Sequence, residues 1–473
     1  MKYNPVTPQV IDKLKAIVGE HFIVLDEEKL KVYACDESIP KPGRLPEVVV
    51  KPKDAEEISQ IMRLANEYHI PVTPRGAGTG LSGGAIPVCG GIVLSLERMN
   101  RILEIDEENL MMTVEPAVIT NEVQRVAANK GFLYAGDPCS SESSFIGGNV
   151  AENAGGNKAI KYGTTGRYIY GLEVVLPTGE ITFFGGKRVK DVTGYDFIHL
   201  LVGSEGTLGI ITKIILKLIP LPKYKMDLLV PFNSMDAAIA MVPKIMTSRR
   251  VIPTSIEFMD KASLMLAEEY LGTKLPYDHA EAHLIIEVDG NNKEDLESEY
   301  EAIGKLCQEN GALEVFVADN KNTQEKVWRA RKAIAEAVKA LSSGFCMEDV
   351  VVPISEIPKM MRAIAEISSK FNVRIISFGH AGDGNIHATF LKDEMSDARW
   401  EGMLPQALRE LYSFAKEFGG TISGEHGIGS KRKKHLSMVL DDAQIELIRR
   451  IKRAFDPNLI LNPAKIVDDN EPK

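Results

Sequence analysis

The sequence predicts an α+β protein with more than one domain. Its 473 residues exceed the length at which a single hydrophobic core usually stops growing. Short apolar strands separated by glycine-rich loops give way, after the Pro-containing break at 219–222, to alternating strands and helices. This alternating part resembles a ferredoxin-like split β-α-β arrangement. We expect an N-terminal segment at 1–45, domains at 46–221 and 222–430, and a C-terminal helix and tail at 431–473.

Helix caps and apolar periodicity mark the elements up to residue 221. An amphipathic helix is predicted at 8–19, and Asp54 can cap a helix in which Ile58, Ile61 and Met62 share one face. Apolar runs predict strands at 47–51, 70–73, 92–96, 112–114, 172–176, 181–184 and 209–218.

In the second domain, segments with the apolar period of a strand alternate with segments that have the apolar period of a helix. Strands are predicted at 226–231, 255–259, 284–288 and 313–317, and helices at 236–247, 262–271, 295–309 and 324–341. This order of elements underlies the ferredoxin-like expectation.

Composition argues against several classes of protein. A net charge of −10 disfavours a nucleic-acid surface, and we interpret the basic run 431–434 as a solvated helix start. The five cysteines stand singly without a C-x-x-C pair, so a zinc ribbon or an iron–sulfur cluster has no ligand set, and a reducing cytosol fits. We see neither a signal peptide nor an apolar run of roughly 20 residues, and therefore expect a cytoplasmic protein without an integral membrane segment.

A first glycine-rich loop, 74–91, contains G-x-G-x-x-G at Gly78, Gly80 and Gly83. A dinucleotide-binding Rossmann motif requires a helix to begin inside this pattern, but here a strand follows. NAD binding is therefore disfavoured. The alternative is an anion nest, in which successive backbone N–H groups surround a pyrophosphate and Arg75, Thr79 and Ser82 add side-chain donors.

A second glycine-rich loop occupies 136–156. Two Gly-Gly pairs, separated by Asn and Ser, allow backbone to pack flat against a planar ligand. A third short motif follows at 203–212, with the sequence G-S-E-G-T-L-G-I-I-T. The first loop thus fits a pyrophosphate and the second a planar ligand.

The motifs P-R-G-x-G-T-x-x-S-G-G, G-D-P, I-G-G-N-x-A-x-N-A-G-G and G-S-E-G-T-L-G-I-I-T occur in this order. In this they resemble the FAD-binding domain of the vanillyl-alcohol-oxidase / p-cresol-methylhydroxylase superfamily. Within it, the chain is most similar to FAD-linked D-2-hydroxy-acid dehydrogenases of the glycolate oxidase and D-lactate dehydrogenase type. The resemblance implies a two-subdomain FAD-binding domain of p-cresol-methylhydroxylase type, a ferredoxin-like substrate (cap) domain and a C-terminal helical segment that returns to the FAD domain.

The resemblance also implies which residues bind FAD. They belong to the three motifs and to the C-terminal tail: Arg75, Gly76, Ala77, Gly78, Thr79, Gly80, Ser82, Pro138, Ser144, Gly147, Gly148, Asn153, Gly155, Gly156, Gly206, Ile210 and Asn462. Neither glycine-rich loop contains a histidine that could serve as a covalent tether, so we expect non-covalent FAD.

Two histidines, His380 and His387, flank the turn-forming segment 381–385. Fully extended, they would lie up to about 23 Å apart, so shared metal ligation requires the chain to fold back at this turn. Glu425, between glycines, offers a third ligand. Two histidines and a carboxylate with open positions suit Zn, Mn or Fe(II). From the residues alone, two buried structural histidines and an unrelated glutamate remain an open alternative.

The family resemblance assigns roles to this set. G-H-x-G-D-G-N-x-H and G-E-H-G-I-G are similar to signatures of metal-dependent 2-hydroxy-acid dehydrogenases, which implies that His380, His387 and Glu425 bind the metal and His426 is the general base. Arg331 and Asn385 would bind the substrate. The implied reaction removes the hydroxyl proton and transfers hydride from Cα to flavin N5, giving a 2-oxo acid.

One departure from the 2-hydroxyglutarate enzymes bears on substrate size. Where those enzymes carry a Thr and a Lys for a distal carboxylate, this chain has Ala335 and Met347. A second carboxylate would meet apolar side chains, which favours a short monoacid, D-lactate above glycolate.

Three rival functions are weighed against this one: an NAD-dependent dehydrogenase, a metallohydrolase and a non-catalytic flavin subunit. The strand after the first loop disfavours the NAD-dependent dehydrogenase, and the glycine-rich loops, which a metallohydrolase leaves unexplained, disfavour the second function. The full His/His/Glu-His set disfavours the non-catalytic subunit. Reduced FAD would pass electrons to a protein acceptor such as electron-transferring flavoprotein or an iron–sulfur subunit, with quinone or oxygen as alternatives.

Overall fold

A computed structural model describes residues 2–38, 44–248, 251–276 and 278–468. The chain divides into two compact units. Unit 1 comprises Met1–Gly155, Thr164–Leu221 and Glu425–Lys473. Unit 2 comprises Gly156–Gly163 and Pro222–Gly424.

The helices and strands are numbered in chain order. The strands are β1 Ile23–Val24, β2 Val48–Val50, β3 Val72–Arg75, β4 Ile92–Ser95, β5 Ile102–Asp106, β6 Met111–Val114, β7 Phe132–Leu133, β8 Ile169–Val175, β9 Ile181–Gly185, β10 Ile210–Lys217, β11 Ile219–Pro220, β12 Tyr224–Phe232, β13 Ser255–Asp260, β14 Ala282–Gly290, β15 Phe316–Ala318, β16 Phe345–Val351, β17 Arg374–His380 and β18 Asn385–Leu391. The helices are α1 Pro8–Val18, α2 Glu27–Val32, α3 Ala55–Tyr68, α4 Thr120–Ala128, α5 Ile146–Glu152, α6 Ala159–Tyr162, α7 Phe197–Leu201, α8 Met235–Thr247, α9 Lys261–Leu271, α10 Lys293–Glu309, α11 Lys321–Leu341, α12 Ile357–Phe371, α13 Asp397–Glu417 and α14 Asp442–Phe455.

Unit 1 contains two main sheets. The first has the order β1-β2-β4-β3, and the second is antiparallel with the order β5-β6-β10-β8-β9. In the first sheet β2 and β3 both run parallel to β4, with the glycine-rich loop connecting β3 to β4. The tail returns to this sheet, because Leu461 bridges Val72 in parallel.

The predicted helices at the start of unit 1 are confirmed. The side chain of Asp54 accepts a hydrogen bond from the backbone N–H of Glu57, which is the expected N-cap. The apolar face of α3 packs with that of α1 in one core, in which Val10, Leu14, Ile58 and Ile61 are fully buried. The helix α1 thus belongs to the core of unit 1.

Two features of unit 1 differ from the sequence interpretation. The second glycine-rich loop contains a short helix, α5, although Gly147 and Gly148 disfavour a helix on propensity. The basic run 431–434 does lie at the start of a helix, but it is not fully solvated, because the side chain of Arg432 is fully buried and donates to the carbonyl oxygen of Gly427 at 3.1 Å. A 3₁₀ helix begins at Lys433.

Unit 2 is built on one seven-stranded antiparallel sheet with the order β15-β12-β14-β13-β17-β18-β16. Its first four strands, taken along the chain as 1 to 4, lie in the order 4-1-3-2, with α8 and α10 as the crossover helices. This confirms the ferredoxin-like expectation, with α9 added between β13 and β14. The remaining strands extend the sheet beyond β13, and β17 and β18 form the predicted hairpin.

In the part of the chain that the structure describes, no helix combines the length and the apolar composition that a membrane span requires.

Candidate functional site

The first glycine-rich loop of unit 1 runs from β3 to β4 without a helix, as expected for a nest and not for a Rossmann motif. None of the backbone N–H groups from Gly78 to Gly83 donates a hydrogen bond to another described residue. The hydroxyl of Ser82 is fully buried and has no hydrogen-bond partner among the described residues. A run of unbonded N–H groups is the donor set that a pyrophosphate needs.

The side chain of Arg75 connects this loop to a neighbouring segment of the chain. Its guanidinium donates to the carbonyl oxygens of Cys35 at 2.7 Å and Val32 at 3.2 Å, and it lies 5.6 Å from the centre of the Tyr33 ring. Gly78 packs so closely on this guanidinium that a Cβ could not be accommodated. In this arrangement Arg75 ties the loop to residues 32–35.

The second glycine-rich loop folds around α5. Gly147 packs against Pro116, whose Cβ would lie 2.6 Å from an added side chain, whereas a side chain at Gly148 would enter open space. Asn153 ends the helix in the left-handed region, with φ 52°, and its Oδ1 accepts from the N–H of Gly166 at 2.9 Å. Gly148 therefore presents bare backbone, as a planar ligand requires.

The other predicted FAD residues occupy turns and strand ends. Ser144 lies 3.1 Å from the hydroxyl of Thr120, and Asn462 donates to the carbonyl oxygens of Gly84 at 3.1 Å and Glu205 at 2.8 Å. The Oδ1 of Asn462 is buried and has no partner among the described residues. Gly76, Ala77, Thr79, Gly80, Pro138, Gly155, Gly206 and Ile210 also lie in unit 1, whereas Gly156 begins the short segment of unit 2.

In unit 2 the β17–β18 hairpin brings His380 and His387 together. Register places His380 opposite Asn385 and Phe378 opposite His387. The two imidazole rings lie with centroids 5.4 Å apart and nearly perpendicular planes, and both side chains are buried. The predicted convergence of the two histidines is therefore present in the fold.

Glu257 on β13 is a site residue that the sequence interpretation missed. Its Oε1 lies 2.7 Å from Nδ1 of His380, and its Oε2 lies 2.8 Å from Nη2 of Arg331. Burial alone would raise the pKa of Glu257, but the charges of His380 and Arg331 outweigh burial and lower this pKa below its usual value. A carboxylate on Nδ1 fixes the orientation of the His380 ring, as second partners of metal-binding histidines do.

Arg331 on α11 is 2% exposed. Its guanidinium carbon lies 5.0 Å from the centre of the Phe378 ring, and its Nε donates no hydrogen bond to a described residue. A buried guanidinium that retains a donor matches the predicted role of holding a carboxylate.

Asp349 on β16 is a second carboxylate that the sequence interpretation did not single out. It accepts from the side-chain amide of Asn385 at 2.7 Å and from the backbone N–H of Gly424 at 2.9 Å. Its Oδ1 also lies 3.7 Å from Nδ1 of His387. Oδ1 of Asn385, the other predicted substrate-binding residue, has no hydrogen-bond partner among the described residues.

Glu425 and His426 belong to unit 1, directly after Gly424 in the chain. Nε2 of His426 lies 3.9 Å from Oε1 of Glu425. Gly155, from the second glycine-rich loop, approaches Glu425 so closely that a Cβ would lie 2.6 Å from its Oε2. The Glu-His pair is therefore packed within unit 1 against a predicted FAD-binding segment.

The donor sets fit the groups that the sequence implies. The unbonded N–H run, buried Ser82 and bare backbone at Gly148 fit a dinucleotide with a flat ring system. Two adjacent buried imidazoles, one oriented by a carboxylate, fit a divalent transition metal. Fold and donor sets thus fit a flavin-dependent oxidoreductase.

Two family models match the chain. "FAD binding domain" covers residues 46–185, and "FAD linked oxidases, C-terminal domain" covers residues 221–466. The second match alone spans more than half of the sequence, so the chain belongs to the FAD-linked oxidases.

Relatives of known name agree with the family. The chain is 42% identical to glycolate oxidase subunit GlcD of Bacillus subtilis, over 98% of this chain and 97% of the relative. It is 39% identical to a D-lactate dehydrogenase of Anaerostipes hadrus, over 98% of both chains. The solved structure of p-cresol methylhydroxylase with bound substrate matches over 98% of both chains with a TM-score of 0.80 at 18% identity, which confirms the expected fold.

Proposed function

We propose that this chain oxidises a small D-2-hydroxy acid, preferentially D-lactate, to the 2-oxo acid, with FAD as the electron acceptor and a divalent metal ion that orients the substrate. The observation that carries the proposal is the shared carboxylate of Glu257, which contacts both His380 and Arg331. The buried carboxylate of Glu257 thus holds His380, a proposed metal ligand, next to Arg331, which could bind the substrate carboxylate. The relatives named D-lactate dehydrogenase and glycolate oxidase support the same reaction class.

His380 and His387 would hold the metal ion, since both rings are buried next to each other and each lies beside a carboxylate, that of Glu257 or Asp349. We propose Glu425 as the third ligand, since Gly424, its covalent neighbour, is bound to the Asp349 carboxylate that also lies next to His387. When bound, Zn, Mn or Fe(II) would supply a Lewis acid, and FAD would supply a two-electron acceptor.

The substrate would be held by Arg331, which can pair its guanidinium with the carboxylate, and by Asn385 through its remaining amide oxygen. His426 would take the proton from the 2-hydroxyl group, a role suited to an imidazole near neutral pH. A fixed carboxylate would restrict the orientation of the substrate, and the relative named D-lactate dehydrogenase supports the D-isomer.

The substrate is proposed to be short because of two side chains. Met347 is 6% exposed on β16 and, two residues before Asp349, lies on the same face of the sheet. Ala335 follows Arg331 by four residues on α11 and therefore lies on the same helical face. Neither offers a charge to a second carboxylate, which favours D-lactate over D-2-hydroxyglutarate.

Glycolate is the second candidate substrate, because the 42% identical relative is named as a glycolate oxidase subunit. In that case the chain would act as the flavin subunit and pass electrons to iron–sulfur subunits or quinone. For D-lactate oxidation we propose a protein acceptor such as electron-transferring flavoprotein.

Anaerobic titration of the purified FAD-containing protein tests the proposal. D-lactate, L-lactate, glycolate and D-2-hydroxyglutarate are added separately, before and after thorough chelation, and bleaching of the flavin absorbance is followed. D-lactate should bleach the flavin fastest, chelation should slow the reaction, and Zn or Mn should restore it. Bleaching by L-lactate alone, or bleaching that complete metal removal leaves unchanged, would contradict the proposal.

A further inference from the structure

The segment that follows His426 is held in unit 1 by a buried carboxylate. Oε1 of Glu205 accepts from the backbone N–H of Ile428 at 2.7 Å, and Oε2 accepts from that of Gly429 at 2.6 Å. Two consecutive N–H groups are thus bound by the two oxygens of one side chain. This fixes the peptide planes that immediately follow Gly427.

Glu205 is itself rigidly placed. Its N–H donates to the carbonyl oxygen of Ala151 at 2.8 Å, and its own carbonyl oxygen accepts from the Asn462 side chain at 2.8 Å. Its φ of 52° lies in the left-handed region, which non-glycine residues occupy at an energetic cost. A residue held in this conformation, although glycine would adopt it more easily, indicates that the side chain is needed.

Two further side chains enclose Gly427, the residue next to His426. The carboxyl group of Glu152 occupies the space where a Cβ at Gly427 would lie, and Arg432 donates to the Gly427 carbonyl oxygen at 3.1 Å. Gly427 has a φ of 85°, so both its conformation and its surroundings require glycine. The His426 loop, defined as residues 425–429, therefore has little freedom to shift.

The carboxyl groups of Glu205 and Glu152 differ in the groups that oppose the effect of burial on their pKa values. Burial, reinforced by the charge of Glu205, raises the pKa of Glu152 well above its ordinary value. Burial also raises the pKa of Glu205, but the two backbone N–H donors, Lys465 and Arg432 oppose this effect. The two backbone N–H donors therefore favour the charged form of Glu205 against the effect of burial.

We propose that Glu205 is a positioning residue for catalysis: its carboxylate clamps the His426 loop and thereby aims the imidazole of His426. The inference rests on the proposed role of His426 as base. Glu205 lies in the motif G-S-E-G-T-L-G, one residue before the predicted FAD-binding residue Gly206, so one segment would serve both the cofactor and the base.

The test compares Glu205→Gln with wild type and with Glu57→Gln, all containing FAD. Gln keeps one acceptor oxygen but turns an NH₂ group towards the second N–H, so one clamp bond is lost. Glu57 is a matched control, because it is a buried glutamate of unit 1 that accepts from a backbone N–H, that of Lys53 at 2.9 Å. Readouts are kcat and KM for D-lactate, and hydrogen–deuterium exchange of peptides that contain Ile428 and Gly429.

In Glu205→Gln, kcat should fall about tenfold to a hundredfold with KM nearly unchanged, and the 428–429 amides should exchange faster. In Glu57→Gln both readouts should stay at wild-type values. Wild-type exchange in Glu205→Gln, faster exchange without a loss of kcat, or a rise in KM alone would overturn the proposal.

Two further variants keep the outcome decisive. If Glu205→Gln does not fold, Gly427→Ala displaces the same loop by placing a Cβ against the Glu152 carboxyl, and it should lower kcat while FAD stays bound. Retention of wild-type kcat in Gly427→Ala would overturn the clamp. If His426→Gln keeps wild-type kcat, the proposed function has failed at its base, whereas the exchange measurement on Glu205→Gln still decides whether the clamp exists.

Discussion

Glu257 in unit 2 and Glu205 in unit 1 are both buried glutamates, yet they bind different kinds of groups. Glu257 contacts two side-chain nitrogens, those of His380 and Arg331, and its pKa is lowered. Glu205 contacts two backbone N–H groups, and its pKa is raised. The first arrangement sets the orientation and charge of side chains, and the second sets the course of a loop.

The two carboxylates would therefore affect catalysis in different ways. A carboxylate on an imidazole nitrogen selects the tautomer and exposes the other nitrogen, so it acts on chemistry directly. A carboxylate on backbone N–H groups acts only through the residue that the loop carries, here His426. The variants below test this distinction, from the largest expected effect to the smallest.

Replacing His426 should have the largest effect on kcat, because Glu205 acts on the reaction only by positioning this side chain. His426→Ala should lower kcat for D-lactate by about 10² to 10⁴. The flavin absorbance spectrum should persist, which shows that FAD remains bound. His199→Ala is the control in the same unit, because His199 is largely exposed and contacts Asp196. A wild-type kcat in His426→Ala would contradict the assignment of the base.

Glu257→Gln should weaken metal binding by about 10-fold to 100-fold, because His380 loses its orienting carboxylate. It should also lower the free energy of unfolding by about 3 kcal/mol, since Arg331 would keep a buried charge without a counter-ion. Metal affinity is measured by competition with a chelator, and stability by denaturant unfolding.

Glu348→Gln is the matched control for that variant. Glu348 is equally buried in the sheet of unit 2 but accepts from the Tyr412 hydroxyl at 2.6 Å. The amide oxygen of Gln can still accept this bond, so metal affinity should stay at the wild-type value. A similar loss of affinity in both variants would show that any buried carboxylate of this sheet matters equally, which would break the comparison.

Local signals explain which parts of the fold were predictable. The cap at Asp54 and the alternation in unit 2 depend on neighbouring residues, and both are confirmed. The helix α5 was missed because two glycines lower helix propensity, and the sequence does not show that Gly147 packs where Pro116 leaves no room for a Cβ. Arg432 was interpreted as solvated because a run of four basic residues usually is.

The missed site residues have a topological cause. Glu257 stands in an apolar strand more than 120 positions before His380, and only the pairing of β13 with β17 places the two opposite each other. Glu205 and Glu152 lie inside glycine motifs, where the glycines drew attention to the cofactor. An acid in the middle of a buried apolar strand was the available signal, since such a residue needs a partner. The roles of the predicted FAD, metal and substrate residues stay predictions.

Met347→Lys should change specificity more than rate. A cation on the same face of the sheet as Asp349 offers a partner for a distal carboxylate, so kcat/KM for D-2-hydroxyglutarate should rise by about tenfold, roughly 1.4 kcal/mol. Met347→Leu, which keeps the side chain apolar, should retain the preference for D-lactate. Initial rates with D-lactate and D-2-hydroxyglutarate measure this change. If the ratio of the two kcat/KM values is unchanged in Met347→Lys, the distal end of the substrate does not lie near residue 347.

Glu152→Gln should have the smallest effect on catalysis, at most about threefold in kcat, because an amide replaces a neutral carboxyl of the same shape. Its effect on stability should depend on pH. The pKa of Glu152 is raised in the folded state, so the folded protein binds a proton that the unfolded chain releases above its ordinary pKa of 4.5. Wild-type stability should therefore decline as pH rises above 4.5, relative to the variant.

Denaturant unfolding of both proteins from pH 4 to pH 8 measures this difference. A variant that loses stability relative to wild type as pH rises would show that Glu152 is ionised in the fold. Glu205 would then be the neutral member of the pair, and a neutral carboxyl group would hold the His426 loop. Since a neutral carboxyl binds two N–H groups less strongly than a carboxylate does, that result would also weaken the contrast between the two units.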